Sequence, residues 1–184
     1  MAATESSMLE LGTQAPQFSL SDVRDGRTHT TKSLQGPKGL LVMFICAHCP
    51  FVKHVEQQLA KLGADYKKSG VGIAAISSND AVNYPDDAPA GLARQAQRQH
   101  FTFPYLYDET QEVARAYDAR CTPDFFLFDG AGKLAYRGQL DSSRPGNSIP
   151  VTGSDLRAAL DALVAGQPVN ADQRPSIGCN IKWK

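Results

Sequence analysis

The chain of 184 residues has no excess of charge of either sign and no long hydrophobic run. Its 19 lysine and arginine residues balance its 19 aspartate and glutamate residues, so the formal net charge at pH 7 is +0. This balance excludes the strongly basic surface that is typical of nucleic-acid-binding domains. The longest apolar run covers residues 39–46, whereas a membrane-spanning helix needs about 20 residues. We therefore expect neither a nucleic-acid partner nor insertion into a membrane.

A targeting signal and a dense cysteine pattern are also missing. Residues 1–11 are polar and lack the apolar core of a secretory signal, so we expect a cytoplasmic protein. The four cysteines are Cys46, Cys49, Cys121 and Cys179. Structural disulfides are rare in a reducing compartment, and a closely spaced cysteine pair there is more typical of catalysis or metal binding.

A strand, a helix and a second strand follow one another in the first half of the chain. Residues 40–45 are continuously apolar, which predicts a strand buried on both faces. Apolar residues then recur at three- and four-residue spacing, at Val52, Val55, Leu59 and Leu62. This periodicity predicts an amphipathic helix over residues 51–67, and residues 71–76 are a second buried strand. Such a βαβ unit implies parallel pairing of its two strands.

The other predicted elements complete an α/β pattern. Residues 18–20 and 28–30 flank the turn signal Asp25-Gly26 and predict an N-terminal β-hairpin. Further strands are predicted over residues 104–107, 125–128 and 133–138, and further helices over residues 90–99, 110–117 and 153–164. We predict a mixed central sheet flanked by helices, in one domain over residues 12–165, with an N-terminal arm over residues 1–11.

The last residues are too apolar for a solvated end. Residues 175–184 contain two isoleucines, Cys179 and the single tryptophan, Trp183. We therefore predict that the tail over residues 166–184 docks on the domain.

The sequence Cys46-Ala47-His48-Cys49 lies where the first buried strand passes into the amphipathic helix. The first turn of a helix has free N–H groups and a partial positive charge, which stabilise a thiolate. We predict Cys46 as the nucleophile and Cys49 as the thiol that resolves the mixed disulfide. His48 adds a hydrogen-bond donor or a positive charge beside Cys46, and Pro50 stiffens the turn without the loss of a needed N–H group.

A metal site is the alternative interpretation of the same residues. Cys46, Cys49 and His54 could supply three ligands and Cys121 a fourth. Structural zinc sites usually have a second closely spaced ligand pair, which this sequence lacks. We therefore expect no metal and no cofactor, and a metal-binding carrier remains the non-enzymatic alternative.

Three segments resemble the thioredoxin superfamily, and specifically its peroxiredoxin-like branch of alkyl hydroperoxide reductases, thiol-specific antioxidant proteins and redoxins. They are residues 12–20, residues 44–51 with the C-x-H-C sequence, and residues 121–129. The resemblance implies a thioredoxin-like three-layer sandwich. It also implies a cis peptide bond before Pro123, with Thr122 offering backbone groups to an incoming substrate.

The same resemblance implies a thiol–disulfide oxidoreductase with antioxidant activity. Its substrates would be protein or small-molecule disulfides or peroxides, and an external thiol reductant would restore the dithiol. A thiol peroxidase is the second alternative. Peroxiredoxins place a threonine or serine and a proline at fixed distances before the reactive cysteine, where this chain has Met43 and Gly39. These departures favour disulfide exchange.

The remaining candidates carry weaker signals. Cys121 and Cys179 are candidates for additional redox thiols, although a free cysteine is more often a small buried hydrophobe. The loop over residues 84–89 could border the site, but its acid pair, Asp86 and Asp87, is predicted to be a solvated turn. The sequence leaves homodimer formation open.

Overall fold

The structure is a computed structural model that describes residues 3–184. Residues 1 and 2 of the predicted arm lie outside the described residues. The strands in chain order are β1 (Ala3–Glu5), β2 (Ser19–Asp22), β3 (Thr28–Thr30), β4 (Gly39–Phe44), β5 (Val71–Ser77), β6 (Tyr105–Tyr107), β7 (Cys121–Thr122), β8 (Asp124–Asp129), β9 (Leu134–Gly138) and β10 (Ile177–Asn180). The α-helices are α1 (Thr31–Leu34), α2 (Pro50–Asp65), α3 (Pro89–Gln99), α4 (Glu112–Ala116) and α5 (Ser154–Val164), and a 3₁₀ helix covers Pro85–Asp87.

A seven-stranded mixed sheet forms the centre of the fold, in the order β3-β2-β6-β5-β4-β8-β9. β4 pairs in parallel with β5, and β5 with β6, whereas β8 pairs antiparallel with β4 and β9. The predicted N-terminal hairpin is present as β2 and β3. The prediction of a mixed sheet flanked by helices, in a thioredoxin-like arrangement, is confirmed.

β4 is buried along its whole length because each of its faces is covered. Successive side chains of a strand point to opposite faces. Leu41 and Met43 join the apolar cluster that includes α2, whereas Leu40 and Phe44 join the cluster on the other face around Tyr117. A strand that is covered on both faces therefore requires a continuous apolar run. The buried end of β4 leads into the start of α2.

The C-terminal segment lies against the domain through a second, three-stranded sheet in the order β1-β10-β7. In this sheet Cys179 is the antiparallel partner of Thr122. Beyond β10, Ile181 is 1% exposed, and the backbone N–H of Lys182 donates to Asn79 Oδ1 over 2.8 Å. The tail thus contacts both β7 and the loop that follows β5.

None of the helices within residues 3–184 combines the length and the apolar character that a membrane crossing requires.

Candidate active site

The strand-to-helix junction positions the first two cysteines. β4 ends at Phe44, and Cys49 is the residue that caps the N-terminus of α2. The carbonyl oxygen of Cys49 accepts the hydrogen bond from Lys53 N over 3.0 Å. Pro50 occupies the first helical position, where a missing N–H costs least. The sulfur-bearing residues therefore lie at the positive end of the helix macrodipole, as the periodicity predicts.

A buried polar network fixes the backbone of Cys46, which is itself fully buried. The side-chain amide of Gln95 donates to the carbonyl oxygen of Cys46 over 3.2 Å and to Glu56 Oε2 over 3.0 Å. The hydroxyl of Tyr105 donates in turn to Gln95 Oε1 over 3.0 Å. At its sulfur, Cys46 lies 3.4 Å from the hydroxyl oxygen of Thr122. The network thus holds the backbone of Cys46, and its thiol lies beside a hydroxyl group although it has no solvent contact.

His48 is held beside Cys46 by Asp87. The Nδ1 of His48 is hydrogen-bonded to Asp87 Oδ2, and the backbone N–H groups of Ala47 and His48 donate to Asp87 Oδ1 over 2.7 Å and 3.1 Å. Asn79 Nδ2 donates to Asp87 Oδ2 over 2.8 Å. The His48 ring stacks on Tyr84 with a centroid separation of 4.9 Å. One buried carboxylate therefore fixes both the backbone and the imidazole of the turn over residues 46–49, the candidate active-site turn.

The electrostatics of this group favour an ion pair. The hydrogen bond to Asp87, followed by the contact with Cys46, raises the pKa of His48 from 6.5 to about 9, although burial acts in the opposite direction. Burial acts to raise the pKa of Asp87, but hydrogen bonds from His48 and Asn79 outweigh it and hold that pKa below its usual range. At neutral pH a positively charged imidazolium therefore lies beside the Cys46 thiol.

The prediction of a solvated acid pair in the loop over residues 84–89 is wrong for Asp87. Asp86 is exposed, but Asp87 is 0% exposed. The reason is that the free N–H groups of the active-site turn need an acceptor, and the 3₁₀ helix turns Asp87 toward them. The sequence contains no local signal for this, because Asp87 and His48 are 39 positions apart.

Cys49 is joined to Cys179 by a disulfide, with their Cα atoms 6.2 Å apart. Cys46 is a free thiol in this state. Cys49, the predicted resolving thiol for Cys46, is bonded in this structure to the tail cysteine, Cys179. The physical reason is the register of β10 on β7, which places Cys179 opposite Thr122. Cys49 Sγ in turn lies 3.3 Å from the carbonyl oxygen of Thr122.

Thr122 borders the sulfurs of Cys46 and Cys49, and Pro123 follows it in the chain. The peptide bond between Thr122 and Pro123 is cis, as the resemblance implies. Thr122 contacts Cys46 through its hydroxyl and Cys49 through its carbonyl oxygen. The carbonyl oxygen of Pro123 accepts a hydrogen bond from Ser176 Oγ over 2.5 Å, so this segment is also tied to the start of the tail.

Cys121 is a free, buried thiol. Its sulfur lies 3.6 Å from the carbonyl oxygen of Pro123 and 3.9 Å from that of Ser176. Burial, followed by the charge of Asp124, raises the pKa of the Cys121 thiol. These surroundings are those of a structural cysteine rather than of a reactive one.

The ligand set of the alternative metal interpretation is not brought together within residues 3–184. Cys49 is bonded to Cys179, and His54 Nε2 is 2.7 Å from Ser143 Oγ. Within residues 3–184 the group with ligand atoms close together is Cys46, His48 and Asp87, all within 4.8 Å of one another. In that group Asp87 is hydrogen-bonded to His48 Nδ1 and to the backbone N–H groups of Ala47 and His48.

The fold and this cysteine site define the class, a redox protein of the thioredoxin fold. Residues 11–137 match the AhpC/TSA family, and the chain belongs to that family. A curated relative, the thiol-disulfide oxidoreductase ResA of Geobacillus thermodenitrificans, is 30% identical over 131 residues, covering 71% of this chain and 70% of the relative.

Solved structures share the fold of this chain. An uncharacterized conserved protein from Geobacillus kaustophilus is 56% identical, with a TM-score of 0.98 over 100% of this chain and 97% of that chain. A hypothetical protein from Sinorhizobium meliloti 1021 is 46% identical, with a TM-score of 0.96 over 98% of both chains. The thioredoxin domain of a thiol-disulfide oxidoreductase from Bacteroides vulgatus shares the fold, at 20% identity and a TM-score of 0.60 over 74% of this chain and 90% of that one.

The curated thiol-disulfide oxidoreductases confirm the prediction of an oxidoreductase in the thiol–disulfide class. The antioxidant and peroxiredoxin-like predictions are supported at the level of the family alone.

Proposed function

We propose that Cys46 is the nucleophile of a thiol–disulfide oxidoreductase and that Cys49 resolves the mixed disulfide that Cys46 forms. The observation that carries this proposal is the chain of contacts from Cys46 to His48 to the buried Asp87. A neighbouring imidazolium stabilises negative charge on sulfur, and the thiolate is the form that attacks a disulfide. Asp87 keeps the imidazole charged and oriented.

The reaction is a pair of thiol–disulfide exchanges. The Cys46 thiolate attacks one sulfur of the substrate, forms a mixed disulfide and releases the other sulfur as a thiolate. Cys49 then attacks the Cys46 sulfur, and the second substrate thiol leaves. Thr122 lies beside both sulfurs and offers its hydroxyl to Cys46, so it supports the charge that moves between them. An external thiol reductant returns the protein to its starting state.

The state with the Cys49–Cys179 disulfide is closed toward substrate. Cys46 and Cys49 are both 0% exposed, whereas Ala47 and His48 between them are partly exposed. These two residues therefore mark the surface under which the attacking sulfur lies. Attack on an external disulfide requires the cover over Cys46 to move, and Tyr84, which stacks on His48, belongs to that cover.

The proposal includes a cytoplasmic location and protein disulfides as substrates. The substrate class is supported by the names of the curated relatives. Cell fractionation with an antibody to the protein tests the location, and recovery in an oxidising compartment alone would contradict it.

The test of the mechanism is to trap the mixed disulfide. In the double variant Cys49→Ser/Cys179→Ser, dithiobis-nitrobenzoate should release one equivalent of coloured thiolate and leave the other half bound to Cys46. The reduced wild-type protein should release two equivalents and keep no adduct. The matched control is Cys121→Ser, which should behave as wild type. An adduct absent from Cys46 in the double variant overturns the proposal.

Peroxide reduction is the second candidate, and two observations favour it. The chain belongs to the AhpC/TSA family, and the Thr122 hydroxyl is 3.4 Å from Cys46 Sγ. In this reaction the Cys46 thiolate attacks one oxygen of hydrogen peroxide, the O–O bond breaks with release of hydroxide, and Cys46 becomes a sulfenic acid. The Cys49 thiol then attacks the Cys46 sulfur, which forms the Cys46–Cys49 disulfide and releases water. Rapid oxidation of Cys46 by one equivalent of hydrogen peroxide, faster than that of Cys121, supports this activity. Equal slow rates at both cysteines contradict it.

A further inference from the structure

The sulfurs of Cys46, Cys49 and Cys179 converge on Thr122. Cys46 and Cys49 contact its side chain and its carbonyl group, and Cys179 is its strand partner. Cys49 lies in the middle of this arrangement, because it is bonded to Cys179 and is three positions from Cys46. The catalytic dithiol thus has a third cysteine built against it.

We propose that Cys179 is a further catalytic residue. It attacks Cys49 in the Cys46–Cys49 disulfide and displaces Cys46, so that the oxidising equivalents are stored in the Cys49–Cys179 disulfide. This inference rests on the proposed function, in which Cys46 attacks first. It adds a third exchange after the substrate has left and assigns the tail a direct chemical role.

The third exchange is balanced within the chain. The Cys179 thiolate attacks Cys49 Sγ, the bond between Cys49 and Cys179 forms, and the bond between Cys46 and Cys49 breaks. Cys46 leaves with the electron pair as a thiolate. Over all three exchanges one substrate disulfide is reduced to two thiols, which take up the protons of Cys49 and Cys179. The Cys46 thiolate is regenerated, and no other oxidant is needed.

The surroundings of the sulfurs set the direction of this exchange. A thiolate that is stabilised by a neighbouring charge is the better leaving group. Cys46 and Cys179 are both buried, at 0% and 2% exposed, and belong to the same apolar cluster, but Cys46 has the imidazole of His48 beside it, fixed by Asp87. Negative charge is therefore better accommodated at Cys46 than at Cys179, and the disulfide comes to rest between Cys49 and Cys179.

Contacts other than the disulfide keep Cys179 within reach. Ser176 Oγ donates to the carbonyl oxygen of Pro123, and the backbone N–H of Lys182 donates to Asn79 Oδ1. These bonds lie on both sides of β10 and do not depend on the sulfurs. When the disulfide is reduced, Cys179 remains beside Cys49, and the high local concentration favours re-formation of the bond.

A time course on the wild-type protein tests the inference without a substitution. Fully reduced protein is mixed with one equivalent of dithiobis-nitrobenzoate, quenched with acid at increasing times, alkylated and mapped by mass spectrometry. We expect a Cys46–Cys49 disulfide first and then its replacement by Cys49–Cys179, with an excess of at least about tenfold at equilibrium. A final state that keeps Cys46–Cys49, with Cys179 alkylated, overturns the inference and leaves the first two exchanges intact.

Variants separate the third exchange, by Cys179, from the first attack, by Cys46. Cys179→Ser should stop at Cys46–Cys49 while still releasing two equivalents of coloured thiolate, and Cys121→Ser should give the wild-type map. Conversion of the Cys179→Ser variant to any product other than the Cys46–Cys49 disulfide counts against the third exchange. Cys46→Ser should be oxidised at least about a hundredfold more slowly than wild type. Oxidation of Cys46→Ser at the wild-type rate would instead overturn the proposed function itself.

Discussion

The imidazole of His48 is hydrogen-bonded to the carboxylate of Asp87, which is fully buried at the end of the 3₁₀ helix Pro85–Asp87. The same carboxylate holds the backbone N–H groups of the active-site turn. The charge on His48 and the geometry of the turn therefore depend on one side chain.

Replacing that side chain tests its role in the reaction. Asp87→Asn keeps an acceptor for the backbone but removes the negative charge that raises the His48 pKa. We expect disulfide reduction at neutral pH to slow by about 10- to 100-fold, because a neutral imidazole stabilises the Cys46 thiolate less than an imidazolium does. The control is Asp86→Asn at the exposed neighbour, which should retain the wild-type rate. Equal rates in the two variants, measured by release of coloured thiolate, would show that Asp87 has no part in catalysis.

The stability of the fold should depend on the protonation of His48. Its pKa is raised from 6.5 to about 9 in the folded state, by Asp87 and then by Cys46, while Tyr84 stacks on the ring. The folded state therefore binds the proton more tightly, and this contribution is complete below about pH 6.5 and is lost as the pH rises through about 9. His48→Gln should destabilise the protein more at about pH 6 than at about pH 10, as measured by urea unfolding. The same destabilisation at both pH values contradicts the assignment.

Gln95 is expected to stabilise the site through its network. Gln95→Leu leaves the carbonyl oxygen of Cys46 and the buried Glu56 without the amide donor. The loss of a donor to buried acceptors costs about 1–3 kcal/mol in free energy of unfolding. Gln97→Leu, at an exposed position of the same helix, should change it by less than about 0.5 kcal/mol. Chemical denaturation of both variants checks this, and a similar small effect at both positions would refute it.

Cys121 should be dispensable for turnover. Its thiol is buried and its pKa is raised by burial, so it is a poor nucleophile. Cys121→Ala should cost about 1 kcal/mol of stability through the small cavity, and the steady-state rate should stay within about a factor of two. A large loss of turnover in a folded Cys121→Ala protein would instead assign this thiol a redox role.

The sequence predicts the strand-to-helix junction because both of its elements carry strong local patterns. The apolar run over residues 40–45 and the periodicity after it place Cys46 and Cys49 correctly at the end of β4 and the start of α2. The cis bond before Pro123 also follows from the resemblance. These features depend on neighbours in the chain, or on a motif that several residues share.

The parts that the sequence does not predict depend on distant partners. Asp87 becomes buried only because it meets the active-site turn, and Gln95 meets the carbonyl group of Cys46 from 49 positions away. β7 and β10 have two and four residues, too few for a periodic pattern, so the disulfide between Cys49 and Cys179 has no local signal either.

The most direct test of the account is the rate at which Cys46 forms its first mixed disulfide. The measurement uses the double variant Cys49→Ser/Cys179→Ser, with and without His48→Gln, in a single turnover with dithiobis-nitrobenzoate at neutral pH. We expect an adduct on Cys46 in both proteins, and we expect the mixed disulfide to form at least about tenfold more slowly when His48 is replaced. An unchanged rate, or an adduct on Cys121 instead of Cys46, would contradict it.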